Sequence, residues 1–275
     1  LAARDIGIGD TVSVLAPNIP ETLEAHFGVP MSGAVLNALN TRLDGPLIGR
    51  LLEHAKSVLV IVDREFAALL EDALKHCERR PHVVVVDDPE GEAPASDFGD
   101  ETYESFIAGG APDYDWSRPA DEWQAISLNY TSGTTGNPKG VVYHHRGAYL
   151  NAISNALAAS LTAHSVYLWT LPMFHCNGWT YTWGVTALAG THVCLRRVEP
   201  RKIFELIADE QVSHLAGAPA VLNMIANAPE QEKRAFNHPV EVTVGGAPPP
   251  SAIIAAMENM GFRVGHLYGL TECFG

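Results

Sequence analysis

Positive charge is scarce in this chain of 275 residues: 18 lysines and arginines stand against 32 aspartates and glutamates. The formal net charge at pH 7 is therefore −14. Broad, unspecific binding to nucleic acid needs a basic surface that displaces counterions from the phosphate backbone. We expect no nucleic-acid partner, and we expect any bound phosphate to be held at one local site.

Cysteine is also scarce, and long apolar runs are missing. Four cysteines lie far apart in the sequence without a CxxC pair, at Cys77, Cys176, Cys194 and Cys273. This spacing indicates neither a zinc ribbon nor a disulfide scaffold, and it favours a reduced, cytoplasmic setting. The sequence has no secretory leader and no apolar run of membrane-spanning length, so we expect no membrane span. It opens with LAARDIGIGD and no Met, as we expect of a piece of a longer protein.

The stretch Tyr130 to Gly140 reads YTSGTTGNPKG and lies between two apolar runs. Its glycines let backbone N–H groups turn toward a ligand, and its Ser and Thr hydroxyls suit phosphate oxygens. It is not a Walker A loop, because Asn137 and Pro138 separate Gly136 from Lys139. The alternative is a flexible hairpin, which the fixed order of residues disfavours. We predict a phosphate-binding loop between two strands.

Apolar strands alternate with amphipathic helices along the chain, and 47% of the residues are hydrophobic, which is enough for a large core. We predict strands at 11–15, 57–62, 83–86, 124–130, 141–143, 166–171, 191–195, 213–216, 240–244 and 263–267. We predict helices from Pro20 toward Leu36, from Pro46, and at 65–77, 147–160, 179–189, 201–209, 220–227 and 251–259. This alternation predicts an α/β fold with mostly parallel sheets, divided into subdomains 1–160 and 161–275.

Ligands of open α/β sheets collect where loops leave the carboxyl ends of strands, and three further loops of this kind stand out. They are LPMFHCNGW (171–179), GGAP (245–248) and YGLTE (268–272). Gly245 and Gly246 allow the backbone to approach a flat base, and the Tyr268 ring offers an aromatic face for stacking. Thr271 can donate to a phosphate, and Glu272 can hold Mg²⁺ that bridges phosphates.

Taken in order, these motifs resemble those of the adenylate-forming superfamily, which contains acyl-CoA synthetases and other AMP-dependent ligases. YTSGTTGNPKG is similar to the family's phosphate loop, GGAPPP to its adenine loop and YGLTE to its magnesium-binding motif. The early segment LAPNIPETLEAHFGVPMSGAVLNALNTRLD is similar as well, so the resemblance covers essentially the whole chain. It implies two stacked, mostly parallel sheets flanked by helices, as in an incomplete acyl-CoA synthetase N-terminal domain.

The resemblance also implies roles for single residues. The nucleotide site would comprise Thr131, Ser132, Gly133, Thr134, Thr135, Gly136, Lys139, Gly245, Gly246, Ala247, Tyr268, Gly269 and Thr271. The substrate site would comprise His175, Trp179, Trp183, Gly246 and His266. The catalytic residues would be His175, Thr271 and Glu272, and Glu272 would bind Mg²⁺. Lys139 would either neutralise pyrophosphate or support its loop.

The implied reaction is ATP-dependent activation of a carboxylic acid to an acyl-adenylate and then to acyl-CoA, with Mg²⁺, ATP and coenzyme A. Amino-acid-activating members usually carry Asp after the motif's Phe, where this chain has His175, which supplies no permanent negative charge near pH 7. Trp179 and Trp183 beside small residues predict an apolar acyl pocket of modest depth. The segments NALNTRLD and FHCNGW are most similar to the branch of short- and medium-chain acyl-CoA synthetases and methylmercaptopropionate-CoA ligases.

Family members continue beyond YGLTE with a ribose-binding Asp, a hinge and a mobile C-terminal lid domain that carries a catalytic lysine. These features are absent from the 275 residues, so we expect poor turnover from this chain alone. Two alternatives stay open: a nucleotide- or acyl-binding module without ligase activity, and an amino-acid adenylation domain. The expected partners are the acid, ATP and CoA, and a homodimer is left open.

Overall fold

The computed structural model describes residues 1–94, 97–116, 118–131 and 138–274. By its internal contacts the chain falls into two compact units, Leu1–Ala148 and Tyr149–Gly275. The predicted division between residues 160 and 161 lies somewhat later in the chain. Each unit has its own sheet and its own buried apolar core.

The first unit is built on a seven-stranded sheet. Its strands are β1 (Thr11–Leu15), β2 (Val35–Ala38), β3 (Ser57–Asp63), β4 (His82–Val86), β5 (Glu101–Thr102), β6 (Ala125–Tyr130) and β7 (Gly140–His144). Their order across the sheet is β5-β4-β3-β1-β2-β6-β7. Neighbours run parallel except β6 and β7, which pair antiparallel on either side of the predicted phosphate loop.

Strand β3 shows that this sheet is covered on both faces. Leu59 and Ile61 pack into one core cluster, whereas Val60 and Val62 pack into another. Successive side chains of a strand point to opposite faces, so an uninterrupted apolar run predicts burial on both sides. That prediction is confirmed.

The helices of the first unit are α1 (Pro20–Met31), α2 (Gly45–Ala55), α3 (Ala67–Leu74) and α4 (Tyr103–Ala108). The predicted helix from Pro20 toward Leu36 is wrong over its last five residues, because α1 ends at Met31 and Leu36 lies in β2. Gly33 takes a φ of +87° directly after the helix, where the chain turns back into the sheet. Glycine adopts this left-handed region without steric cost, so the helix can end here. The amphipathic pattern of the sequence does not show this end.

The second unit is built on a five-stranded parallel sheet. Its strands are β8 (Val166–Leu168), β9 (Thr191–Val193), β10 (His214–Gly217), β11 (Val240–Val244) and β12 (Phe262–His266), in the order β12-β11-β10-β8-β9. Its helices are α5 (His145–Ala158, which begins in the first unit), α6 (Cys176–Trp179), α7 (Tyr181–Ala187), α8 (Pro200–Asp209), α9 (Pro219–Ala226) and α10 (Ser251–Asn259).

Three motif loops of the second unit follow the carboxyl ends of β8, β11 and β12. Because parallel strands end at one edge of a sheet, this topology gathers the three loops at that edge. The predicted α/β class with two mostly parallel sheets flanked by helices is confirmed. Within the described ranges, no helix is long and apolar enough to cross a membrane.

Candidate functional site

The three motif loops of the second unit enclose one cavity of about 170 Å³. Its lining residues are His175, Cys176, Trp179, Gly246, Leu267, Gly269, Leu270 and Thr271. A larger, mainly apolar groove of about 600 Å³ lies between α1 and α4 in the first unit, but no predicted site residue lines it. The smaller cavity is therefore the candidate site, because predicted site residues line it.

The chain makes a left-handed turn at the end of the LPMFHCNGW loop (171–179). Cys176, Asn177, Gly178, Trp179 and Thr180 all have φ between +45° and +62°. A left-handed conformation costs roughly 1–2 kcal/mol per non-glycine residue, and it normally occurs at single positions. Such strain persists where the surroundings over-determine the backbone, and it clusters at functional sites. The turn brings a cysteine and a tryptophan to the cavity wall.

Gly178 packs directly on the indole of Trp169. A Cβ atom at Gly178 would lie 2.6 Å from Cζ3 of Trp169, closer than carbon atoms can approach. Trp169 has 0% exposure and therefore cannot move aside freely. This explains why only glycine fits the middle of the turn.

Trp169 is itself oriented by a histidine. The indole Nε1 of Trp169 can only donate, so in its 3.0 Å contact with His192 the imidazole Nδ1 is the acceptor. His192 then carries its proton on Nε2 and donates to Oγ1 of Thr186 at 2.8 Å. That hydroxyl donates onward to the carbonyl oxygen of Thr182 at 3.0 Å. The neutral imidazole is required for this chain of hydrogen bonds.

Acidification is expected to destabilise the second unit through His192. Burial lowers the pKa of His192 from its ordinary value of 6.5 to about 4. As the pH falls from 6.5 to about 4, the unfolded chain takes up a proton on His192 that the folded chain does not. The stability contributed by the neutral imidazole is thus complete above pH 6.5 and is lost as the pH approaches 4.

Urea unfolding at about pH 7.5 and about pH 5 would measure this loss. His192→Gln keeps an acceptor and a donor but does not titrate, so the variant should lose less stability on acidification. His214, whose pKa burial also lowers, contributes equally to both proteins. An equal loss in wild type and variant would show that His192 is not responsible.

The glycines of the adenine-loop motif occupy different environments. Gly245 is buried, and a Cβ there would lie 2.8 Å from Cη2 of Trp179 and 3.0 Å from Cδ1 of Leu267. Gly246 is exposed, has a φ of +89° and lines the cavity. Gly245 therefore lets Trp179 pack against the loop, whereas Gly246 leaves backbone accessible to a ligand.

The YGLTE loop (268–272) contributes Gly269, Leu270 and Thr271 to the cavity lining. Oγ1 of Thr271 lies 3.5 Å from Sγ of Cys176, so this loop touches the left-handed turn. The Tyr268 ring is 80% exposed, which leaves its face open for stacking. Glu272 is exposed beside Thr271. Thr271 lines the cavity, and the aromatic ring of Tyr268 and the carboxylate of Glu272 belong to the same loop without lining it.

The remaining predicted residues lie elsewhere. In the first unit, the Thr131 N–H donates to the Lys139 carbonyl oxygen at 3.1 Å, which closes the base of the phosphate loop, and the Lys139 side chain is exposed. The predictions for 132–136 fall outside the described residues. Six predicted residues of the second unit are not part of the cavity lining: Trp183, Gly245, Ala247, His266, Tyr268 and Glu272.

The whole chain, residues 1–275, matches the family described as AMP-binding enzyme. The chain belongs to this family. It is similar to the peroxisomal acetate/butyrate–CoA ligase AAE7 of Arabidopsis thaliana, with 49% identity over 100% of this chain and 50% of the relative. It is also similar to the 2-methylpropanoate–CoA ligase CCL4 of Humulus lupulus, with 44% identity over 100% of this chain and 50% of the relative. The chain thus spans about half the length of these curated relatives.

Solved structures of AMP-binding enzymes share this fold. The N-terminal domain of FACL13 from Mycobacterium tuberculosis superposes with a TM-score of 0.82 at 27% identity, covering 100% of this chain and 66% of that one. The O-succinylbenzoate coenzyme A synthetase of Bacillus subtilis, in complex with ATP and magnesium ion, reaches 0.77 at 23% identity, over 99% of this chain and 52% of that one. The second likeness concerns the fold alone. The predicted family is confirmed.

Glu272 suits the magnesium role implied for AMP-binding enzymes. Among the described residues, no group of three or more His, Cys, Asp or Glu side chains could hold a metal ion. Mg²⁺ needs no such cage, because one or two carboxylates together with substrate phosphates usually bind it. An exposed carboxylate next to the cavity therefore fits the ion.

Sequence reasoning missed three cavity residues: Cys176, Leu267 and Leu270. Each is adjacent in sequence to a predicted residue of the same loop. Cys176 carries no motif signal of its own, and its place at the wall depends on the left-handed turn. Leu267 looks like an ordinary residue at the end of an apolar strand, and Leu270 is an apolar residue inside the YGLTE motif without a polar group to mark it.

Proposed function

We propose that the longer protein containing this chain activates a short carboxylic acid with ATP, giving an acyl-adenylate and then acyl-CoA. The observation that carries the proposal is the convergence of the FHCNGW, GGAP and YGLTE loops on one cavity. Gly269, Leu270 and Thr271 form one wall of the cavity, here the Thr271 wall, whose hydroxyl suits a nucleotide. Cys176 and Trp179 form another, here the Trp179 wall, which carries an apolar ring. A molecule with an acyl group joined to adenylate matches both walls.

In this proposal Tyr268 stacks on adenine, and the Thr271 hydroxyl donates to an α-phosphate oxygen. Thr131 to Gly136 and Lys139 are the proposed binding residues for the β- and γ-phosphates, and His175 separates the acyl and nucleotide sites. An oxygen of the acid attacks the α-phosphorus, and the bond to pyrophosphate breaks; the CoA thiol then attacks the acyl carbon and AMP leaves. Mg²⁺ held by Glu272 would supply neutralisation of phosphate charge. The chain's contribution is positioning and preorganised hydrogen-bond donors.

The wall at Trp179 and the curated relatives favour a small acid. Trp179, with 4% exposure, closes one side of the cavity. The two curated relatives are also named for short acids: acetate, butyrate and 2-methylpropanoate. An amino acid is disfavoured, because His175 stands where a carboxylate would pair with its ammonium group.

Glu272→Gln is expected to remove most of the gain in ATP affinity that Mg²⁺ gives. The amide keeps the shape of the carboxylate but loses its charge, which is what draws a hard cation. Titration calorimetry of the chain with ATP, with and without Mg²⁺, should show about a tenfold weaker magnesium effect in the variant. Glu258→Gln, the same change at an exposed position of α10, is the matched control. An unchanged magnesium effect in Glu272→Gln would rule out the assigned role.

Acid-dependent pyrophosphate release from the longer protein would separate the alternatives. Release that depends on a short fatty acid supports the ligase. ATP binding without pyrophosphate release, whichever carboxylic acid is added, would indicate a binding module. Pyrophosphate release that depends on an amino acid would indicate an amino-acid adenylation domain. A panel of acids of increasing chain length would also define the substrate.

We also propose that the protein is cytoplasmic and forms a homodimer. None of the four cysteines forms a disulfide, which suits a reducing compartment. One relative is named as peroxisomal, so fractionation of cells that express the longer protein should compare these two compartments. Light scattering of the purified protein would test the dimer.

A further inference from the structure

Two asparagines on one face of α5 hold the left-handed turn. Asn151 and Asn155 are one helical turn apart, so their side chains project on the same side. The Nδ2 group of Asn155 donates to the Trp179 carbonyl oxygen at 2.9 Å and to Oγ1 of Thr180 at 3.3 Å. Both side chains are half-buried. The carboxyl end of the turn is thereby fixed to a regular helix.

Thr180 connects the two asparagines. Its hydroxyl donates to the Trp179 carbonyl oxygen at 2.6 Å. An asparagine Nδ2 can only donate, so Oγ1 of Thr180 accepts from Asn151 at 3.2 Å as well as from Asn155. Donors and acceptors are therefore consistent throughout this cluster.

Asn151 differs from Asn155 because it also reaches the other wall of the cavity. Its Nδ2 group donates to the Phe274 carbonyl oxygen at 3.0 Å. The Phe274 N–H in turn donates to the Thr271 carbonyl oxygen at 3.3 Å, and Phe274 has a φ of +78°. One amide group thus binds the left-handed turn with one hydrogen and the segment that carries Thr271 and Glu272 with the other.

We propose that Asn151 is a positioning residue that sets the spacing between the Trp179 wall and the Thr271 wall. The Trp179 wall is a run of left-handed residues, and Thr271–Cys273 form a single 3-10 turn that ends at the left-handed Phe274, so neither belongs to a long regular element. Asn151 links them through a rigid helix. In the proposed reaction, on which this role rests, the acyl-adenylate is the ligand that contacts both walls at once. ATP contacts only the Thr271 wall.

Asn151→Asp tests the bridge, because an ionised carboxylate only accepts hydrogen bonds and would face two oxygen atoms. Amide hydrogen exchange in the 275-residue chain should become about tenfold faster at 270–274 and at 176–180. Asn155→Asp, the matched control, should accelerate exchange at 176–180 only. Asn151→Ala, which removes the donors without adding charge, should show the same pattern as Asn151→Asp and serves if the Asp variant fails to fold.

Ligand affinity separates positioning from a general loss of structure. Affinity for a butyryl-sulfamoyl adenosine probe should fall about tenfold in the Asn151 variants, while affinity for ATP with Mg²⁺ falls much less. Equal loss of both affinities, or unchanged exchange at 270–274 in both Asn151 variants, would overturn the proposal. If wild type binds no probe while the variants still exchange faster at 270–274, the bridge stands and the proposed function fails.

Discussion

Gly178→Ala is expected to lower the free energy of unfolding by about 2–4 kcal/mol. The new Cβ atom would lie 2.6 Å from Cζ3 and 2.9 Å from Cη2 of Trp169, a fully buried ring. Alanine at a φ of +58° is also strained without any clash. The two costs add, because neither the ring nor the turn can relax without disturbing the other.

Urea unfolding followed by tryptophan fluorescence measures this effect. Gly28→Ala is the matched control: Gly28 lies in α1, has open space where a Cβ would go and has no positive φ. Because glycine in a helix costs roughly 0.5–1 kcal/mol relative to alanine, the control should be stabilised slightly. Equal stability of Gly178→Ala and wild type would contradict the packing described for the turn.

Trp179→Ala is expected to change acyl preference and to destabilise the chain. Trp179 is 4% exposed, packs on Gly245 and lines the cavity. Removal of a buried tryptophan typically costs about 3–5 kcal/mol, part of which reflects the space left behind. That space adjoins the cavity, so a longer acyl chain could fill it.

Titration with butyryl and hexanoyl adenylate analogues would show the change in preference. The variant should bind the hexanoyl probe more tightly relative to the butyryl probe, while its affinity for ATP changes little. Trp123→Ala, at a ring that is 67% exposed, should alter neither preference nor stability appreciably. A fall in ATP affinity as large as the fall for the butyryl probe would place Trp179 outside the acyl site.

Much of the fold follows from local pattern. The limits of β1, β11 and α10 agree with the sequence prediction residue by residue, because apolar runs there are bounded by proline or glycine. Parallel topology then explains why motifs far apart in sequence end at one edge of a sheet. The predicted phosphate loop lies in the first unit and the other motifs lie in the second. Sequence order alone therefore does not define the geometry of the predicted site.

The left-handed turn could not be predicted. Asn177 and Gly178 are residue types that tolerate positive φ, but a single such residue is the usual case. The conformation depends on Trp169 beneath the turn and on α5 beside it, and no local sequence pattern shows either contact. Asn151 was missed for the same reason, since a polar residue in a helix carries no sign of the loops it binds.

Calorimetric titration of the chain with a butyryl-sulfamoyl adenosine probe tests the central claim, that one cavity accepts both an acyl group and a nucleotide. We predict saturable binding of one probe per chain, tighter than the binding of adenosine and weakened when Trp179 or Thr271 is changed. Binding no tighter than that of adenosine, by a chain that circular dichroism shows to be folded, would contradict the account.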